Sequence, residues 1–381
     1  MLLLCMCAGH YSGMAQQKDK YAVLFGKHNS RMRKPPSNVV RMFLDKDGNY
    51  YPDISISRRS LRKSNSSLRQ WYADHTDRFE ELCKKYSIGE GSFDKRLELL
   101  NAAIAKEIAD RINTRSKEYD VVDVSIHGFR KKAYGISLGN RRSVGDNRKL
   151  EAAIDRYSTK KHFYTEVYWD SKYLGPLEMI RKDKGYHVFA EQGIPAALRV
   201  GLAARRVVSN IKRQRINIIT HSLGAVVGAE LLFNADTSEP ALQSRLRTPA
   251  QPDVRTCLIA PATSPYLFRN YDDRGPRKAP VPDNYSMAVV YNTNDFVLNK
   301  NLQLLFLHIG RNTADSISST TLGCNCGSAI DTIAQYVSPG RFTAFDMSLK
   351  RKSKRKCHYL NHCYIRNKRA FRNVVATFLD K

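Results

Sequence analysis

Nowhere does the chain string together the roughly 20 apolar residues that a bilayer-crossing helix needs, so the expectation is a soluble or peripheral protein. Acidic residues are scarce. Only 36 Asp and Glu stand against 63 Lys and Arg, for a formal net charge of +27. An imbalance of that size speaks to surface potential and partners, not to fold. Internal repeats are missing, which excludes solenoid and propeller arrays. The stretch Asp45-Lys46-Asp47-Gly48-Asn49 opens like a calcium loop but has no glutamate at its twelfth position, which excludes an EF-hand.

What is present begins with apolar material. Hydrophobic residues make up 42% of the 381 positions, enough to build the core of a large domain with an extension. The N-terminus carries the short apolar run Leu2 to Ala8, then the small-x-small pattern Gly13-Met14-Ala15 ahead of Gln16. Residues 1–15 therefore read as a signal peptide, sending the protein to the periplasm, the envelope or the medium. The alternative is a cytoplasmic chain with an apolar terminus. Among the eight cysteines, Cys257 lies in an apolar run and is expected to be a buried thiol. Cys324, Cys326, Cys357 and Cys363 cluster late in the chain, and export would allow disulfides among them.

Residues 16–118 form a first section of short extended pieces and two helical stretches. Leu97, Leu100, Ile104, Ile108 and Ile112 recur every three or four residues and give one apolar helical stripe. Nothing in this section carries chemistry, and it reads as an N-terminal α+β extension. From residue 119 onward the pattern changes. Strand-like apolar runs (121–126, 163–168, 216–220, 254–259, 287–291, 342–345) alternate with helical ones (149–157, 196–212, 223–233, 369–379). Such alternation predicts an α/β domain over 119–381, with a mostly parallel sheet covered by helices on both faces.

The sharpest local signal is Ile216-Asn217-Ile218-Ile219-Thr220-His221-Ser222-Leu223-Gly224-Ala225. A buried strand runs into Ser222, and a helix of small residues leaves it. A nucleophile on such a strand-to-helix turn is held in a strained conformation with its hydroxyl presented. Small residues two before and two after permit the bend; Gly224 is one, and Thr220 stands where glycine is usual. Upstream, the strand Val121 to Ile126 ends in His127-Gly128-Phe129. There the backbone N–H groups of Phe129 and Leu223 could converge on one oxyanion, each such donor being worth ~3 kcal/mol at a transition state. Serine also needs a base, and the base needs a carboxylate to fix its tautomer. Asp295 follows the strand Met287 to Tyr291, at a C-terminal strand end where sites of such sheets form. Its bland reading is a turn or helix-cap aspartate, and Asp346 is the alternative acid. His362 in Cys357-His358-Tyr359-Leu360-Asn361-His362-Cys363 is the expected base, with His358 the alternative.

Together these residues resemble the α/β-hydrolase superfamily, in particular its bacterial serine esterase and lipase-like members. The order Ser222, Asp295, His362 is similar to that family's nucleophile, acid, histidine order, His127-Gly128-Phe129 to its oxyanion loop, and Asp295-Phe296-Val297-Leu298 to its acid turn. Residues 16–118 are not covered. The resemblance implies a mostly parallel eight-stranded sheet and cleavage of a carboxylic ester or related acyl bond through an acyl-enzyme. The substrate would be a small-molecule or lipid acyl compound, and neither a metal nor an organic cofactor is required. Three competing readings remain. Cys324, Cys326, Cys357, His358, His362 and Cys363 could hold zinc, although Cys-x-Cys is not the usual zinc spacing. The basic run 350–356 could engage an anionic membrane surface or envelope polymer, or steer an anionic substrate. No recognised nucleic-acid module accompanies it, which argues against nucleic acid as partner. Finally, a hydrolase fold without activity could serve as a binding protein for an anionic partner.

Overall fold

A computed structural model describes residues 35–54, 56–65, 67–129, 139–171, 192–235, 246–268, 271–272, 275–276, 284–293, 295, 298, 302–304, 307–309, 322–325, 328–348 and 368–381. Seven strands form one sheet: β1 (Val39–Leu44), β2 (Val121–Ile126), β3 (His162–Trp169), β4 (Arg215–His221), β5 (Asp253–Ile259), β6 (Tyr285–Tyr291) and β7 (Phe342–Asp346). Their spatial order is β1-β3-β2-β4-β5-β6-β7, and every neighbouring pair is parallel. The protein is thus an α/β protein with an all-parallel central sheet. Each residue of β2 and β3 is buried, as near-continuous apolar runs covered on both faces should be.

Among the described residues the helices are α1 (Arg58–Lys63), α2 (Leu68–Asp74), α3 (Thr76–Lys85), α4 (Phe93–Arg115), α5 (Gly139–Tyr157), α6 (Ile194–Val208), α7 (Gly224–Phe233), α8 (Ala329–Ala334) and α9 (Lys368–Val374). On one face α4, α6 and α7 pack with Val122, Val124, Ile126, Ile216 and Ile218 of the strands. The opposite face buries Tyr164, Ile219, Cys257, Ile259, Ala288 and Val290 beneath α5 and α9. Leu97, Leu100, Ile104, Ile108 and Ile112 of α4 are buried, and the helix is opened by Ser92, whose side chain accepts the Lys95 N–H. Gly201 lets α6 and α7 approach: a Cβ there would lie 2.5 Å from the Glu230 Cβ. Among the described residues no helix is long and apolar enough to cross a membrane.

The boundary drawn at residue 118 does not separate two layers in space. β1 pairs with β3 along its length, from Val39↔Tyr164 to Leu44↔Trp169, and α4 shares its apolar core with α6 and β2. Sequence missed this because a six-residue strand carries no mark of its partner. The last helix also differs from expectation. It is α-helical to Val374 and widens into a π turn over Val375–Leu379. There the Arg255 guanidinium donates to the Phe378 carbonyl, a fitting cap for a helix C-terminus. The proposed leader 1–15 lies outside the described residues, as do Cys326, Cys357, Cys363 and the basic run 350–356.

Candidate active site

Register decides where the ends of the strands meet. Ile126 pairs with Thr220, His221 with Ile259, Ile259 with Val290 and Tyr291 with Asp346. The C-terminal ends of β2, β4, β5, β6 and β7 are therefore level. Asp346 at the end of β7 and the residues just beyond the other strands, His127-Gly128, Ser222, Ala260 and Asn292, share one edge of the sheet. Open parallel sheets place their sites at this edge.

Ser222 stands between β4 and α7 with φ of +55°. That left-handed conformation costs a non-glycine residue about 1–2 kcal/mol and persists only where neighbours enforce it. Here they do. Ser222 N–H donates to the Ile259 carbonyl (3.0 Å), and its own carbonyl accepts from Ala225 (3.0 Å) and Ala262 (3.0 Å). The residue is buried, 8% exposed. Thr220 occupies the position where small residues are usual because Gly228 makes room: a Cβ at Gly228 would lie 2.8 Å from the Thr220 Cγ2. The one departure from the elbow pattern is thus compensated eight residues later, on the facing side of α7.

The loop after β2 presses against this turn. A Cβ at Gly128 would lie 2.6 Å from the Ser222 Cβ, 2.7 Å from the His221 carbonyl oxygen and 3.3 Å from the Leu223 nitrogen. Gly224 is equally confined, 2.6 Å from the Ile126 carbonyl oxygen by the same measure. Leu223 is the N-cap of α7, at a helix end where backbone N–H groups point outward and favour negative charge. The Phe129 ring and the Leu223 side chain both rest on Gly193, just ahead of α6. The structure therefore brings Ser222, Leu223, Gly128 and Phe129 together.

Both ring nitrogens of His127 are engaged. The residue is buried, and its Nε2 accepts the Trp169 N–H (3.1 Å) while Nδ1 lies 2.8 Å from the Gly128 carbonyl oxygen. The two contacts assign a neutral ring with its proton on Nδ1.

Asp295 is fully buried in the turn beyond β6. Its N–H donates to the Asn292 carbonyl (2.9 Å), and Oδ1 accepts the Leu298 N–H (3.2 Å). The cap role is real for that oxygen, yet complete burial of a carboxylate is more than a cap requires. Asn292 N–H in turn reaches the Gly323 carbonyl, and Gly323 N–H reaches Pro261, which ties this turn to the segment that holds Ser222. Asp346 is exposed and spends an oxygen on the Ser348 N–H (2.7 Å), an ordinary turn. His362 and His358 lie outside the described residues. Cys257 is the buried free thiol the sequence implies, with burial pushing it up to about 12.

Sequence reasoning passed over Trp169, which closes β3 beside His127. Its only visible signal is an aromatic residue at a strand end, and nothing local points to a partner 42 positions upstream. No protein-family model matches the chain, and a search of curated proteins finds no match either.

Proposed function

We propose that the protein is a serine hydrolase of the α/β-hydrolase type, cleaving a carboxylic ester or related acyl bond. The observation that carries this reading is the left-handed Ser222 on a strand-to-helix turn, with Gly128 packed against it. Ser87 and Ser328 are left-handed as well, but Ser222 joins a buried parallel strand to a helix with the loop of Gly128 against it, the turn that presents a nucleophile.

In this reading the imidazole of His362, or of His358, takes the Ser222 hydroxyl proton as Oγ attacks the acyl carbon. The carbonyl electron pair moves onto oxygen, toward the N–H groups of Phe129 and Leu223. Collapse of the adduct expels an alcohol that receives its proton from the imidazolium, leaving acyl-Ser222. Water then attacks with the same proton traffic, releasing the acid. Asp295 holds the imidazole tautomer and stabilises its charged form. No step calls on a metal or an organic cofactor.

The test is labelling of the full chain with a fluorophosphonate probe, followed by peptide mapping. The expected adduct is on Ser222, disappears in Ser222→Ala, and accompanies turnover of simple acyl esters. A folded protein whose Ser222 stays unlabelled sinks the hydrolase reading.

A further inference from the structure

We propose that Trp169 is a positioning residue that fixes the oxyanion loop through His127, an assignment that rests on the hydrolase reading. The indole Nε1–H donates to the His127 carbonyl oxygen at 2.9 Å, and the backbone N–H of the same residue donates to His127 Nε2 at 3.1 Å. One tryptophan therefore grips both the main chain and the side chain of His127. The two rings stack, with centroids 5.8 Å apart and planes 10° apart, and both residues are buried.

His127 passes the constraint on. With Nε2 taken as an acceptor, the ring proton sits on Nδ1 and is donated to the Gly128 carbonyl at 2.8 Å. That carbonyl belongs to the same planar peptide as the Phe129 N–H, and in a trans peptide the two point in opposite directions. Tying the Gly128 carbonyl to the imidazole thus sets the direction of the Phe129 N–H. Gly128 has little freedom of its own, because the elbow lies against it on the other side. Without the tie, the Gly128–Phe129 peptide is held on the elbow side alone, and a small tilt of its plane suffices to mis-aim the donor while leaving the sheet intact.

The clamp is braced from the first section of the chain. Asp170 N–H donates to the Leu44 carbonyl (3.1 Å), and the Tyr51 hydroxyl donates to the Asp170 carboxylate. Both Tyr51 and Asp170 are buried. Residues 35–118 then have a task that their sequence does not advertise: they hold the end of β3, from which Trp169 reaches the loop.

The chain has two tryptophans, which permits an isosteric test. In a Trp71→Phe background, Trp169 is replaced biosynthetically by benzothienylalanine, which keeps ring shape and the backbone N–H but has sulfur in place of the indole N–H. The reference is the same background with natural tryptophan. The expected result is a 10- to 100-fold lower kcat with KM within twofold, because an interaction made in the transition state is impaired while ground-state binding is not. Affinity for benzeneboronic acid, which forms a tetrahedral adduct with the serine, should fall by a similar factor. Tyr51→Phe, farther along the brace, should show a smaller loss with the same kcat signature. Unchanged kcat in the benzothienylalanine protein, a loss confined to KM, or a kcat loss with intact boronate affinity would each overturn the assignment. If wild-type Ser222 reacts with fluorophosphonate and only the tryptophan effect is missing, the positioning role falls and the hydrolase reading stands. If wild-type Ser222 is inert, both fall.

Discussion

Gly128→Ala is the substitution whose consequence can be worked furthest from the structure. The added methyl carbon would meet the Ser222 Cβ at 2.6 Å and the His221 carbonyl oxygen at 2.7 Å. Ordinary carbon–carbon contacts sit near 3.5–4.0 Å, so the loop and the elbow must part by about 1 Å. Neither neighbour is a flexible tip, since both belong to a turn held by the hydrogen bonds of Ser222 to Ile259 and Ala262. Overpacking of this kind costs about 1–3 kcal/mol of stability, and a 1 Å misplacement in a catalytic constellation costs on the order of 100-fold in rate. Gly201→Ala supplies the control. Its methyl would clash at least as badly, 2.5 Å from the Glu230 Cβ and 2.7 Å from the Val227 carbonyl oxygen, but it lies between α6 and α7 rather than at the elbow. Both variants should lose a few degrees of Tm, whereas kcat/KM on an acyl ester should collapse in Gly128→Ala alone. A Gly128→Ala protein with wild-type kcat/KM, or two variants equally impaired, would refute the reasoning.

Three further outcomes are expected. Ser222→Ala and Ser222→Gly both remove the hydroxyl, but only glycine relieves the left-handed backbone, so denaturant unfolding should find the glycine variant more stable by about 1 kcal/mol. Asp295→Asn should lower kcat by ~10³–10⁴, the scale of losing the carboxylate that fixes a catalytic imidazole, while Asp346→Asn should change it by less than about threefold, its carboxylate being exposed and engaged in a turn. Burial, and next the Glu166 carboxylate, push Glu151 up from 4.5 to about 8. A carboxyl group whose pKa is higher folded than unfolded contributes stability that is fully present below about 4.5. That contribution declines as pH rises and is gone once pH passes about 8. The whole span is worth at most roughly 5 kcal/mol, and Glu151→Gln should flatten the decline between pH 5 and pH 9 measured by urea unfolding. An unaltered slope would count against Glu151 as its source.

The elbow was legible because its information is local. Ile216 to Thr220 is a run that only a buried strand accommodates, and Gly224, Ala225, Gly228 and Ala229 lie within one short helix. A mostly parallel sheet followed from the alternation of apolar runs and helices; that every pair is parallel is a finding of the structure. What could not be read is everything that depends on register. β1 pairs with a strand more than a hundred residues away, and its sequence, VVRMFL, does not name that partner. The grip of Trp169 on His127 exists because Ile126 pairs with Val167, which sets His127-Gly128 level with Tyr168-Trp169. A shift of one residue would turn the indole to the other face of the sheet. α5 begins near Gly139, well before the apolar positions Leu150 and Ile154 that reveal it. Its first turns are rich in arginine and asparagine, and such residues give a periodicity reading nothing to follow.

Two of the left-handed non-glycine residues lie where the chemistry is proposed. Ala260, like Ser222, has a left-handed backbone, with φ of +48°, and the two lie on adjacent strand ends. Each costs on the order of 1–3 kcal/mol, and each is fixed by hydrogen bonds from outside its own turn. Ser222 is tied to Ile259 and Ala262, Ala260 N–H donates to Val290, and Gly323 N–H closes over Pro261. Because β4, β5 and β6 are packed between two helical layers, these bonds cannot lengthen without disturbing a buried sheet. On the proposed hydrolase reading the elbow is thereby set before any substrate arrives, and ligand binding has no need to create it. An enzyme that assembled its nucleophile only on binding would place this segment on a mobile loop. Here it stands at the junction of three buried strands, which is the arrangement expected of a site that works by preorganisation.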